Sequence, residues 1–236
     1  QDIDLRRAPR VQLRVLENVC FHPKDKNQFG ESLSVVNIST TGLGLLNQNQ
    51  SWLKHGGLIE GKLEARGGAA AATLVIVHIS RALAGCAFVK PSGILHRWVL
   101  DYFDAEMLAL NLQKVDNRFL NDEHKRQGTW LWGGENCEIY FELAGESVEY
   151  FYLSFLGNFF EGGQTLPIRF GYLTEESNLI KFKRANIIHM ISQVPAGVVE
   201  RAMKFVDHTK ELDVSVKQQI IDYLRMIQAK ESPCVD

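Results

Sequence analysis

The pattern of apolar and polar positions changes texture twice along the chain. From residue 11 the segments are short and imperfectly alternating: "VQLRVLENV" at 11–19, "SLSVVNI" at 32–38, "GLIEGKLEA" at 57–65, "ATLVIVHIS" at 72–80 and "AGCAFVKP" at 84–91, each punctuated by Gly, Asn or Pro. Alternation of period two places successive side chains on opposite faces of an extended strand. Short punctuated strands with no sustained helical period predict an antiparallel barrel or sandwich. Near residue 98 the spacing turns helical, with Trp98, Tyr102, Met107, Leu108 and Leu112 on one stripe that runs into the polar "DNRFLNDEHKRQG" at 116–128. A second strand-rich stretch follows Gly128: "CEIYFELA" at 137–144, "VEYFYLSFLG" at 148–157, "LPIRFGYLT" at 166–174 and "LIKFKRANIIHM" at 179–190. Two helices close the chain. Val199, Ala202, Met203 and Val206 share a face of the first, and Val216, Ile220, Tyr223, Leu224 and Ile227 share a face of the second, where Ser215 and Gln218 are placed as a capping box.

The expected fold is therefore mainly β: an antiparallel barrel or sandwich over 1–97, a helical linker over 98–127, and an α+β domain over 128–236 that ends in two helices. The final helices are free at this stage to pack on their own domain or on a second subunit, and Ile220, Leu224 and Ile227 are candidates for a homodimer or a protein partner. Trp130 and Trp132, two apart on one strand face, are expected to pack into a core.

Composition narrows the function. The 236 residues carry a formal net charge of -2, which argues against bulk attraction to a nucleic-acid polymer or an anionic membrane but allows a local basic pocket. The longest apolar run, 69–77, is too short to cross a bilayer, and the amino end has no apolar signal core. A soluble cytoplasmic protein without a transmembrane segment is expected. Cys20, Cys86, Cys137 and Cys234 are widely spaced and fit free thiols better than bridges. None of the seven histidines sits in a metal or triad motif, Glu175 and Glu176 fit a turn surface, and no complete phosphate-binding glycine loop is present. The chain is expected not to be an enzyme and to need no cofactor or metal.

Two short motifs carry more chemistry. "RRAPR" at 6–10 sets Arg6 and Arg10 four apart with Pro9 narrowing the chain between them. Arginine is a planar fork of donors that grips phosphate oxygens, or the O6 and N7 of a guanine, in a bidentate way. "NISTTG" at 37–42 puts Asn37 and Ser39 on one side of a strand, with Val36 and Ile38 on the other, before a turn at Gly42. A hairpin with a local side-chain hydrogen bond is the plainer account of this stretch.

Together, in this order, RxxxR and NxSxxG resemble the paired motifs of the PilZ domain, and "VIVHISRALAGCAFV" at 75–89 is similar to the later hairpin of that barrel. The resemblance covers roughly residues 3–97. It implies a six-stranded antiparallel barrel over 1–97 that is a receptor for the bacterial second messenger cyclic di-GMP. Arg6 and Arg10 would contact phosphates and guanines from a segment that folds over the ligand, Arg7 would be an auxiliary phosphate contact, and Asn37, Ser39 and Gly42 would complete the guanine site on the barrel. Signal transduction would then pass to the C-terminal domain or a partner. The alternative is a structural or protein-interaction adaptor with the same barrel and no nucleotide. Without ligand, Arg6 and Arg10 are expected to be poorly fixed or turned away from Asn37 and Ser39.

Overall fold

The segments at 32–38, 57–65, 72–80, 84–91, 137–144 and 148–157 form strands as their spacing predicts, whereas the strand at Cys20–Pro23 lies outside the segments that the pattern picked out. The computed structural model describes residues 10–13, 19–47, 52–65, 68–116, 128–134, 136–176 and 185–231. Two compact units, Gln1–Met107 and Leu108–Asp236, divide the chain.

The first unit contains β1 (Val11–Gln12), β2 (Cys20–Pro23), the short helix α1 (Lys26–Phe29), β3 (Leu33–Ser39), β4 (Gly42–Leu46), β5 (Leu58–Ala65), β6 (Gly68–Ile79), β7 (Leu83–Phe88) and helix α2 (Gly93–Tyr102). The sheet runs β3-β2-β5-β6-β7-β4 and returns to β3 through the β3–β4 pairing, a closed six-stranded antiparallel barrel. Closure removes the exposed edges that an open sheet would carry. The strand β1 is an addition to it. β2 pairs with β3 at Leu33 and Ser34, and β1 takes over the same edge at Asn37 and Ile38.

Alternation fills the barrel interior, with Phe21, Ile38, Leu43, Leu45, Ile59, Leu63 and Leu74 essentially without solvent access. One phase change matters for the site. Val35 pairs with Leu45 and Asn37 with Gly44, so Val36 is an extra residue on β3, a β-bulge. Val35 and Ile38 are buried while Val36 is half-buried, which corrects the simple alternation that grouped Val36 with Ile38.

Ser92 caps α2 by accepting from the Leu95 amide at 3.1 Å. The helix buries Leu95 and Val99 and packs on β6; Trp98 and Tyr102 stack beside each other at 5.4 Å and are half-buried. The helical stripe thus falls on Leu95, Val99 and Phe103 rather than on Trp98 and Tyr102. The stretch 98–127 is divided. It contains the end of α2, the short α3 (Asp104–Ala109) and β8 (Gln113–Lys114), which pairs into the second sheet; residues 117–127 lie outside the described set.

The second unit is an antiparallel meander in chain order, from β8 through β9 (Thr129–Trp132), β10 (Glu138–Ala144), β11 (Ser147–Phe155), β12 (Asn158–Gly163) and β13 (Arg169–Glu176) to β14 (Ala185–Ile191). Helices α4 (Val198–His208) and α5 (Val214–Glu231) complete it. Val148, Phe151, Leu153, Phe155 and Phe160 are buried. Phe205 of α4 stacks on Phe155 at 4.9 Å, and Tyr223 of α5 meets Phe151 at 5.7 Å. Gln219 pins α5 to the β10–β11 hairpin, accepting from the Val148 amide at 2.8 Å and donating to the Glu146 carbonyl at 2.9 Å.

Three expectations change here. Ile220 and Leu224 are fully buried within this unit, so they do not present a dimer face. The capping box is absent: α5 begins at Val214, two residues before the start that a Ser215 cap would set, the Lys217 amide bonds the Asp213 carbonyl, Ser215 accepts from Gln219, and Gln218 donates to Asp222. On β9 it is Leu131 that is buried, while Trp132 is 53% exposed and Trp130 half-buried. Among the described residues, no helix is long and apolar enough to cross a membrane.

Candidate functional site

The short strand β1 positions Arg10. Val11 pairs with Ile38, Gln12 pairs with Asn37, and the Leu13 amide donates to the Val36 carbonyl at 3.0 Å. Continued by one residue, that register brings Arg10 alongside Ser39. The Arg10 guanidinium Nη1 donates to Asn37 Oδ1 at 2.9 Å, across 27 residues of chain. The expectation that Arg10 is loose or turned away from Asn37 is therefore corrected. Backbone pairing on β3 holds the arm at this point, and the side chain closes onto the barrel. Arg6, Arg7 and Pro9 lie outside the described residues, as does Arg14.

Asn37 is 7% exposed and rests over Gly44, its cross-strand partner on β4. A Cβ built on Gly44 would stand 2.8 Å from Asn37 Nδ2 and 2.9 Å from Oδ1, so the absence of a side chain there is what seats the amide. Sequence reasoning missed Gly44. The signal was present in "TGLGLL", where a second glycine inside an apolar run marks a close approach of another chain segment.

Ser39 has no solvent access. Its hydroxyl donates to the Gly42 carbonyl at 3.1 Å, receives the Thr41 amide at 3.3 Å, and lies 3.3 Å from the Thr41 hydroxyl. It ties the β3–β4 turn, which is the local hydrogen bonding that short hydroxyl side chains favour in turns. Gly42 is required by close approach: its added Cβ would fall 2.2 Å from the Cys86 carbonyl on β7, and its φ is not positive. The NxSxxG stretch thus splits. Asn37 meets the arginine, whereas Ser39 and Gly42 build the turn beneath it.

Cys86 extends the electrostatic description. Burial pushes its thiol up to about 12, while the positive charge of Arg10 pulls in the opposite direction. The thiol is neutral at physiological pH and donates weakly to the Ala84 carbonyl at 3.8 Å. Chemically, the arrangement is a half-buried arginine fork braced by one amide, suited to accepting a planar acceptor edge or an anion. Among the described residues, no group of three or more His, Cys, Asp or Glu gathers to hold a metal.

A second polar cluster lies on the second sheet and was not foreseen. Cross-strand pairing lines up Trp130, Tyr140, Tyr152, Glu161 and Arg169 in one row over five strands. Trp130 donates to Glu138 at 2.8 Å, Tyr140 to Glu142 at 2.5 Å and Tyr150 to Glu161 at 3.2 Å, and Arg169 pairs with Glu161 at 2.7 Å. Burial pushes the Glu138 carboxyl upward, opposed by the Trp130 bond, and pushes Tyr150 up to about 12. The alternation in "EIYFE" was its signal in the sequence. These partners satisfy one another, so the row is a cross-strand lattice and not an open site.

No family model and no curated protein matches the chain. Among solved structures, a Legionella uncharacterised protein, Lpg0364, matches with 11% identity over 41% of this chain and 90% of its own, at a TM-score of 0.31. At that score the likeness carries no argument. The PilZ resemblance rests on the motifs at 6–10 and 37–42.

Proposed function

We propose that the barrel is a cyclic di-GMP receptor whose guanine site is centred on Arg10 and Asn37. The supporting observation is the 2.9 Å contact between them, which joins the two motifs of the resemblance at one point of the barrel surface. Arg10 would turn part of its fork to the O6 and N7 acceptors of a guanine, the bidentate geometry by which arginine reads that base. Asn37, seated on Gly44, would keep the guanidinium oriented as the ligand docks. Arg6 and Arg7 would add phosphate contacts, where charge-assisted hydrogen bonds are strong. Gly42 and Ser39 would contribute by shaping the turn. Because β1 already fixes Arg10, ordering that residue would cost little on binding. Transmission to residues 128–236 or to a protein partner requires that the ligand bind two arrangements unequally.

An adaptor that binds no nucleotide is favoured by one observation: the Ser39 hydroxyl is already engaged in the turn. Titration of the full chain with a fluorescent cyclic di-GMP separates the two. A charge-assisted hydrogen bond contributes about 1.5–3 kcal/mol, so Arg10→Ala should weaken binding by roughly ten- to a hundredfold, and Asn37→Ala should weaken it by disorienting Arg10. No saturable binding by the wild type supports the adaptor; saturable binding with unchanged affinity in both variants overturns the Arg10–Asn37 site.

A further inference from the structure

A groove of about 660 Å³ opens on the first unit between β2, β5, β6 and the start of α2. None of the residues of the Arg10–Asn37 contact lines it. Four lysines do, Lys24, Lys26, Lys62 and Lys90, against a single carboxylate, Glu60, which lies 3.7 Å from Lys24. All four are exposed. They come from four different places in the chain: the end of β2, α1, β5 and the bend after β7. The whole chain is net negative, so this convergence is not the by-product of a basic surface, and it focuses positive potential into one concavity.

The floor is aliphatic. Ala72 and Leu95 are buried beneath the lysines, with Val89 half-buried beside them. The one aromatic ring on the lining is the His22 imidazole, which meets the Glu31 carbonyl at 3.2 Å and lies 3.6 Å from Glu64; no Phe, Tyr, Trp or Arg lines the groove, so no planar fork is there to read a base edge. Ammonium groups are compact point charges suited to phosphate, and their methylene stems continue the apolar floor. The size falls in the range of small-ligand sites. Lys90 adds a second kind of observation. It is a non-glycine residue at a φ of 44° immediately before Pro91. That conformation is unfavourable for a lysine in this sequence context, and such outliers concentrate at functional sites.

We propose that this groove binds an alkyl phosphate, with the phosphate held among Lys24, Lys62 and Lys90 and the aliphatic chain laid on Ala72, Val89 and Leu95. The same chemistry is offered by a free phosphate monoester and by the head and proximal chain of phosphatidic acid in a bilayer.

Calorimetry of the full chain with hexyl phosphate, inorganic phosphate and 1-hexanol tests it, alongside flotation with phosphatidylcholine vesicles with and without phosphatidic acid. Hexyl phosphate should bind saturably and at least tenfold more tightly than either fragment. Lys62→Ala combined with Lys90→Gly should weaken it at least fivefold. Lys90→Gly relieves the left-handed backbone, so thermal stability should hold or rise, which separates loss of the site from unfolding. Cyclic di-GMP affinity should be unchanged in the lysine variant, so each site stands or fails on its own. Binding of hexyl phosphate without flotation assigns a free ligand; flotation that requires phosphatidic acid and is competed by hexyl phosphate assigns the lipid. Hexyl phosphate binding no better than inorganic phosphate or hexanol, or insensitive to the lysine changes, overturns the proposal.

Discussion

Two glycines three and five residues beyond the end of β3 do different work. An added methyl at Gly42 meets the backbone carbonyl of Cys86 at 2.2 Å, and neither strand can yield without breaking the β4–β7 pairing. One at Gly44 meets the side chains of Asn37 and Leu83, which can move. Gly44→Ala is therefore expected to cost about 1–3 kcal/mol, the usual range for overpacking, and to displace Asn37 from Arg10, so that ligand affinity falls in a protein that still folds. Gly42→Ala is expected to lose more stability than Gly44→Ala. Urea denaturation beside ligand titration distinguishes them, and equal stability losses would contradict the assignment. The buried thiols give a pH-dependent outcome. Burial raises Cys86 to about 12 and Cys137 to about 11 from an ordinary 9.0. Both stay protonated in the fold where the unfolded chain would release the proton, so their effect on stability is nil below pH 9 and a progressive loss as pH rises above it. At pH 8, peptide mapping after brief alkylation should find Cys20, which is half-buried, modified ahead of Cys86 and Cys137.

At the scale of elements, β3, β5, β6, β7 and the two closing helices follow directly from spacing, since period two and period 3.6 assign opposite or common faces without knowledge of neighbours. The strand segments at 72–80 and 84–91 and the apolar face of α5 were legible for that reason. What was not legible depends on a partner strand. The bulge at Val36 exists because β4 pairs with β3 one residue out of step, and only that register shows Val35 joining Ile38 in the core. Likewise the buried face of β9 belongs to Leu131, because the strand order and not the bulk of Trp130 and Trp132 decides which side is covered. The α5 face resolves the remaining ambiguity about its partner. Ile220 and Leu224 pack inside their own unit, so Leu224→Ala should cost about 2–5 kcal/mol in chemical denaturation and leave the mass measured by light scattering unchanged. A change in oligomeric state without loss of stability would restore the dimer face.

For the whole molecule, each unit has its own core: the barrel interior around Phe21, Leu43 and Leu63, and the sheet–helix layer around Phe151, Phe155 and Phe205. The candidate site lies in the first unit, and its members came together in two ways. Asn37, Ser39 and Gly42 were visible in sequence as a strand and turn. Arg10 was visible as a residue type, but its fixation was not, because it arises from two residues of β1 pairing on β3 beyond the end of β2. An arm read as a mobile lid is thus docked at Arg10. The central claim is that Arg10 and Asn37 together form the guanine site. Its most direct measurement is the NMR side-chain amide signal of Asn37 in the ¹⁵N-labelled full chain, assigned by its loss in Asn37→Ala and followed during titration with cyclic di-GMP. A saturable shift that is absent with GMP and abolished by Arg10→Ala is the predicted result; an amide signal that stays in place through the whole titration would contradict the account.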